Sequence, residues 1–199
     1  GIYIVKPVSY MVDDLPEDSI VRKDLAFFEY NFTGIMPLEI VVDTKSKNGI
    51  TKLSTLKKIE KLQKLLEEDQ YISKAISVTD FVKVFSQAYY KNNEKFYRLP
   101  NNQDRVAIMS YLKNSKGTMN QSKGFVDSTG QIARISMRVA DIGSIKLDSL
   151  LANSIQPKID TVFGDTDFEV KATGTTLIFT KGTKFLINNL RSSLLLAFI

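Results

Sequence analysis

The 199 residues include no cysteine and no histidine. Without histidine there is no Ser-His-Asp triad, no imidazole acid–base catalyst and no histidine-ligated zinc or haem. Without cysteine there is no thiol nucleophile, no iron–sulfur cluster and no disulfide framework, and composition assigns no redox compartment. An all-carboxylate site for Ca²⁺ or Mg²⁺ survives these absences, as does a Ser/Lys or Asp/Glu mechanism. There is also no GxGxxG fingerprint, no Walker A loop, no internal repeat and no low-complexity segment.

What is present suits a soluble, folded chain. Hydrophobic residues make up 43% and charged residues 25%, enough apolar material for one ordinary domain or two small ones sharing an interface. The net charge of +5 comes from 27 basic and 22 acidic residues. Such a balance suits nucleic acid, an anionic membrane surface or an ordinary solvated surface. The even spread of lysines favours the last.

Residues 8–17 read as an extended segment ending in an acidic turn at Pro16. Asp18 or Ser19 caps a helix to about Phe32, whose apolar face is Val21, Leu25, Phe28 and Phe32. Leu38 to Val42 is a β-branched run and predicts a buried strand. Ser54 is expected to cap a helix to about Glu68 with Leu56, Ile59, Leu62 and Leu66 inward. Residues 72–78 suggest a short edge strand. Ser77 and Asp80 form a capping box for a helix through Tyr90, and another helix spans about Asp104 to Leu112. From Gly124 the period becomes two. A turn at Asp127–Gly130 leads into Ile132, Arg134, Ser136, Arg138 and Ala140 on one face and Ala133, Ile135, Met137 and Val139 on the other. A long helix from Ser144 to about Phe163 and a strand Phe168–Ala172 complete the body. This order of strand, helix, strand, helix, strand is that of an α+β, ferredoxin-like (split βαβ) domain with inserted helices between its two halves, at about 77–113.

Several motifs carry possible chemistry. Ser54–Lys57 and Ser110–Lys113 match S-x-x-K, but without the S-D-N and K-T-G partners, so a helix cap and a solvated lysine explain the first better. Asp165, Asp167 and Glu169 alternate like the start of an EF-hand loop, yet Val170 stands where glycine is needed and Thr176 where glutamate is needed. Asp13, Asp14, Glu17 and Asp18 suit an acidic helix start better than a divalent ion. Tyr89-Tyr90 through Phe96-Tyr97-Arg98 interleaves aromatics with cations as single-stranded nucleic acid requires, but lacks an RNP-type motif. Nothing points to an enzyme or a cofactor.

The ends are distinctive. Gly1 in place of methionine, with no signal-peptide pattern behind it, is expected of an excised fragment. Phe185 to Ile199 (FLINNLRSSLLLAFI) places Phe185, Leu186, Leu190, Leu194 and Ala197 at helical spacing and stops without a cap. Either this helix docks in a core or it is the start of a membrane helix. The alternative function is a stand-alone soluble module that binds single-stranded nucleic acid or serves as a protein adaptor, with this helix as its dimer contact.

Taken together, Val12–Ser19, Asp24–Glu29, Met36–Asp43, Gln87–Tyr90, Ala133–Ser136, Asp141–Gly143 and Thr173-Gly174-Thr175 resemble, in order and over nearly the whole chain, the MMPL-like predicted exporters of the resistance-nodulation-division (RND) superfamily. The resemblance implies a non-catalytic, extracytoplasmic porter loop on the periplasmic side of a bacterial inner membrane. In that scheme residues 1–36 lead away from one membrane helix, 37–178 form the porter domain, and 179–199 lead into the next. The implied partners are a hydrophobic or amphipathic small molecule or lipid and the remainder of its own proton-driven transporter, with oligomerisation possible and no nucleic acid. Phe27, Phe28, Tyr89, Tyr90, Phe96 and Tyr97 are the expected walls of a substrate cleft, with packing in the core as the competing role.

Overall fold

The two long strands alternate buried with less buried residues, and that alternation decides which sheet face the helices cover. In the computed structural model, which describes residues 10, 15–114 and 124–197, β1 (Met36–Asp43) buries Met36, Leu38, Ile40 and Val42. β2 (Ile132–Val139) buries Ala133, Ile135, Met137 and Val139, the face the alternation predicts. β1 is central. It pairs antiparallel with β2, Ile40 opposite Ile135, and with β3 (Glu169–Thr173), Ile40 opposite Ala172.

The expected edge strand at 72–78 is present only as two antiparallel bridges, Ile72 to Val139 and Ile76 to Ser136. Their registers differ by one residue. The Arg138 N–H donates to Ser73 Oγ at 2.9 Å instead of to a carbonyl, while Ser73 N–H donates to the Arg138 carbonyl at 2.8 Å. The extra residue interrupts the ladder as a bulge does. The segment nevertheless extends the sheet, so the spatial order is 72–76, β2, β1, β3.

The buried face is covered by α2 (Leu53–Glu67) and by a long helix, α5 (144–163). Leu56, Ile59, Leu62 and Leu66 of α2 are fully buried, as their spacing predicts. The α2 start differs from expectation. Lys52 occupies the cap position and Ser54 lies exposed in the first turn, because a 3₁₀ turn at Gly49–Thr51 runs straight into the helix and starts it earlier. α5 begins as Ser144–Leu150, widens into a π turn at Leu151–Ile155, and continues as Gln156–Phe163. Pro157 explains the widening: it has no N–H to donate, and its ring crowds the preceding turn. Leu147, Leu150, Ile155 and Ile159 are buried, whereas Ile145 faces solvent.

The inserted helices are α3 (Val78–Tyr89), with the expected Ser77–Asp80 capping box, and α4 (Arg105–Asn114). Phe85 and Ile108 are buried outside the main core cluster, so the insertion has a small core of its own. The turn before β2 is held by the Asp127 carboxylate, which accepts from the backbone N–H groups of Thr129, Gln131 and Ile132.

Two further helices leave the same end of the sheet through glycine corners. α1 (Ile20–Phe32), capped by Ser19, one of the two expected caps, enters β1 past Gly34, and α6 (Thr175–Ala197) follows β3 past Gly174. Both glycines have strongly positive φ, +112° and +118°. α6 starts at Thr175 rather than near 179, since Gly174 turns the chain and Thr176 Oγ1 donates to the Pro37 carbonyl at 2.5 Å. Most of the extended segment expected at 8–17, with Asp13 and Asp14, lies outside the described residues.

Candidate functional site

The sheet face turned away from α2 and α5 carries Pro37, Glu39 and Val41 from β1 beside Arg134, Ser136 and Arg138 from β2. At the α1 end of this face lies a cavity of about 680 Å³, within the range of small-molecule sites. Phe32 ends α1 over it, and Ile35, Pro37, Ile76 and Met137 supply the rest of the apolar wall. Ser73 and Ser136 add hydroxyls, and Lys74 and Arg138 are the charged residues of the wall. α1 is fixed here by Glu29, whose Oε1 accepts from the Asp141 N–H at 2.8 Å, and by the Arg138 guanidinium, 5.8 Å from the Phe32 ring centre.

The charges on this face are unequal in their company. Arg134 pairs with Glu39 at 3.0 Å and lies over the Phe125 ring. Among the described residues Lys74 and Arg138 have no ion pair, and the cavity wall contains no Asp or Glu. The cavity therefore presents two cations without an ion pair beside apolar side chains.

The edge segment that brings Lys74 and Ile76 here is held from behind. Ala75 N–H donates to Glu67 Oε1 and its carbonyl accepts from Gln63 Nε2, both at 2.8 Å. Gln63 is buried and also donates to Asp80 Oδ2 at 2.9 Å, while its Oε1 accepts from Ser77 Oγ at 2.7 Å and Thr79 Oγ1 at 3.1 Å. This network locks α2 to the start of α3 and fixes residues 73–77 between them.

None of the six aromatics expected to wall a cleft is among the residues lining this cavity. They form two separate groups. Phe27 and Phe28 meet edge-to-face on α1, at 60% and 46% exposure, and Phe28 continues to Phe32 at 5.6 Å. Their helix has no buried residue. Tyr89, Tyr90, Phe96 and Tyr97 cluster where α3 ends. Tyr90 stacks on Phe96 at 3.8 Å and 16°, with Arg98 also over Phe96. A hydrogen bond to Asp104, before burial, raises the Tyr90 phenol above its ordinary range. Tyr90 also meets Tyr89 edge-to-face at 5.2 Å. Tyr89 and Tyr97 keep exposed surface.

The other motifs resolve into local structure. Ser54 and Lys57 are exposed on α2, and Ser110 is exposed on α4. Asp165 pairs with Lys58 at 2.5 Å, which holds its carboxyl below the usual range. Glu169 is lowered by Lys171 and then Lys45, and Lys45, raised by Glu169 and then Asp43, joins the strands. Asp43 is lowered chiefly by the Lys45 backbone N–H, then by Gln131. Among the described residues no group of three or more potential ligands is arranged to hold a metal ion.

Phe185, Leu186, Leu190 and Leu194 of α6 are exposed, so this helix does not dock them in the chain's own core. Among the described residues no helix is long and apolar enough to cross a membrane. No protein-family model matches the chain, and no curated protein matches it.

Proposed function

We propose that the chain is the substrate-handling domain of a membrane exporter of hydrophobic or lipid-like molecules, non-catalytic and placed on the periplasmic side of a bacterial inner membrane. The observation that carries this reading is the cavity on the open sheet face, lined by both apolar and polar side chains, at the end from which α1 and α6 depart with exposed apolar faces. A ferredoxin-like (split βαβ) porter fold is supported by the order 72–76, β2, β1, β3, by the covering of one sheet face by α2 and α5, and by the α3–α4 insertion between the halves. In the full-length protein, proton-driven transport belongs to membrane helices, and this domain binds and passes substrate.

Reading the open reading frame on both sides tests the proposal. About 20 apolar residues are expected to continue through Ile199, with a similar stretch ending just before Gly1. A stop codon directly after Ile199 would refute it, and the exposed face of α6 would then be a protein contact.

A further inference from the structure

We propose that the cavity selects amphiphiles bearing an anionic head, with Lys74 and Arg138 taking the head and Phe32, Ile35, Pro37 and Ile76 taking the chain. The inference rests on the cavity being the substrate site, and adds the charge of the substrate to that reading.

Three observations carry it. The first is charge: among the described residues the wall holds two cations and no carboxylate, while neighbouring Arg134, on the same face, is neutralised by Glu39. A cation left without a partner beside apolar surface is stabilised by an anion that brings its own apolar part. The second is the register. Ser136 lies opposite Ile76, so Lys74 and Ile76 on the edge segment and Ser136 and Arg138 on β2 converge on one mouth. The Ser136 hydroxyl suits an oxygen of a carboxylate or phosphate, whereas Ser73 Oγ is already engaged, accepting from the Arg138 N–H and donating to the Lys74 carbonyl.

The third concerns what the mouth does not suit. An acidic peptide could bind by adding a strand to the sheet edge. The N–H and C=O of Ala75 on the edge segment are already taken by Glu67 and Gln63, which leaves that residue no free backbone pair to offer. A small inorganic anion would leave Phe32 and Ile76 uncovered. A single-chain amphiphile fills both halves.

Calorimetric titration of the chain with dodecanoate, dodecyl maltoside, dodecyltrimethylammonium and acetate, each below micellar concentration, tests the proposal. Amide NMR shifts locate the binding. Saturable dodecanoate binding is expected, weaker in high salt, with shifts at Lys74, Ile76, Ser136 and Arg138. The double variant Lys74→Gln/Arg138→Gln should lose about fivefold or more of that affinity while its dodecyl maltoside affinity stays unchanged. Both positions are exposed, so the fold should persist, and Arg138→Lys should recover part of the loss. A smaller loss, or equal affinity for the neutral and anionic amphiphiles, overturns charge selection but leaves the cavity as an apolar binding site. Acetate binding as tightly as dodecanoate overturns the amphiphile. If no amphiphile binds, the cavity is not the substrate site and both readings fail.

Discussion

Gln63→Leu is the sharpest test of how the cavity is built. Leucine keeps nearly the volume of glutamine but removes four hydrogen bonds from a buried position. Some partners recover. Ser77 Oγ and Thr79 Oγ1 remain 2.7 Å apart, and Asp80 Oδ2 still accepts from Ser77 N–H at 2.9 Å. Two groups do not: the Ala75 carbonyl loses its donor, and one of the two hydroxyl protons loses its acceptor. At about 1–3 kcal/mol for each buried orphan, the loss is about 4 kcal/mol. Burying the added apolar surface of leucine offsets about 1 kcal/mol, which leaves about 3. In a chain of this size that lowers Tm by about 6–12 °C. Urea unfolding read by circular dichroism should show it as a midpoint lower by about 1–2 M with unchanged slope. Hydrogen exchange should also quicken at the Ser73 and Ile76 amides, whose bonds to β2 depend on the clamp on Ala75. A stability change below about 0.5 kcal/mol would mean that water already serves these groups and would refute the network's role. Unchanged exchange at Ile76 despite a loss of stability would refute its link to the edge segment.

Gly34→Ala should destabilise by about 1–3 kcal/mol, since a Cβ there would sit 2.5 Å from the Val139 carbonyl carbon at a φ of +112°. An unchanged thermal midpoint would refute the strain. Acid should weaken the fold. Asp43, Asp165, Glu169 and Asp127, the last through bonds from Thr129, Ile132 and Gln131 that outweigh burial, are all lowered below their ordinary values. Depressed carboxyls contribute stability above their unfolded values, about 3.9 for Asp and 4.3 for Glu, and lose it as pH falls through the folded ones. A pH series of urea midpoints should therefore fall below about pH 4, and a flat profile there would count against these bonds. Leu186→Gln with Leu190→Gln should leave stability within about 0.5 kcal/mol, because both side chains are exposed on α6. A large drop in the thermal midpoint would show that they pack.

Period was the most legible feature of the sequence. Leu56, Ile59, Leu62 and Leu66 at helical spacing, and Ala133, Ile135, Met137 and Val139 at alternate positions, lie where their patterns put them, because each face is buried against the other. The Ser77–Asp80 box was legible for a similar reason, being a local arrangement with few alternatives. The start of α2 was not, since a 3₁₀ turn overrode the serine signal. Nor was the cavity. Its wall draws on Phe32 from a helix, Pro37 from one strand, Arg138 from another and Lys74 from an edge that is barely a strand. Only tertiary register brings these together. The aromatic pairs drew notice because large rings are conspicuous in sequence, yet their positions on α1 and at the α3 end set them off the cavity wall. The usable signal was quieter. Arg134, Ser136 and Arg138 alternate on the polar face of a strand, and on β1 only Glu39 lies within diagonal reach of both arginines.

That shared carboxylate gives a way to change the cavity without touching its wall. In the register, Arg134 lies opposite Val41 and Arg138 opposite Pro37, so Glu39 is the diagonal neighbour of each. Diagonal neighbours about 7–8 Å apart are within reach of long side chains. Glu39 pairs with Arg134 at 3.0 Å, and Arg138 has no ion pair among the described residues. Arg134→Gln should release Glu39 toward Arg138, placing a carboxylate at the mouth and weakening dodecanoate binding by about threefold or more, although Arg134 does not line the cavity. Adding Glu39→Gln should restore the affinity, because the competing carboxylate is then gone. A double-mutant cycle on dodecanoate affinity measures this coupling. If Arg134→Gln and Arg134→Gln/Glu39→Gln bind equally, the partner choice of Glu39 does not govern the cavity's charge. Arg138 would then owe its lack of a partner to its place opposite Pro37 alone.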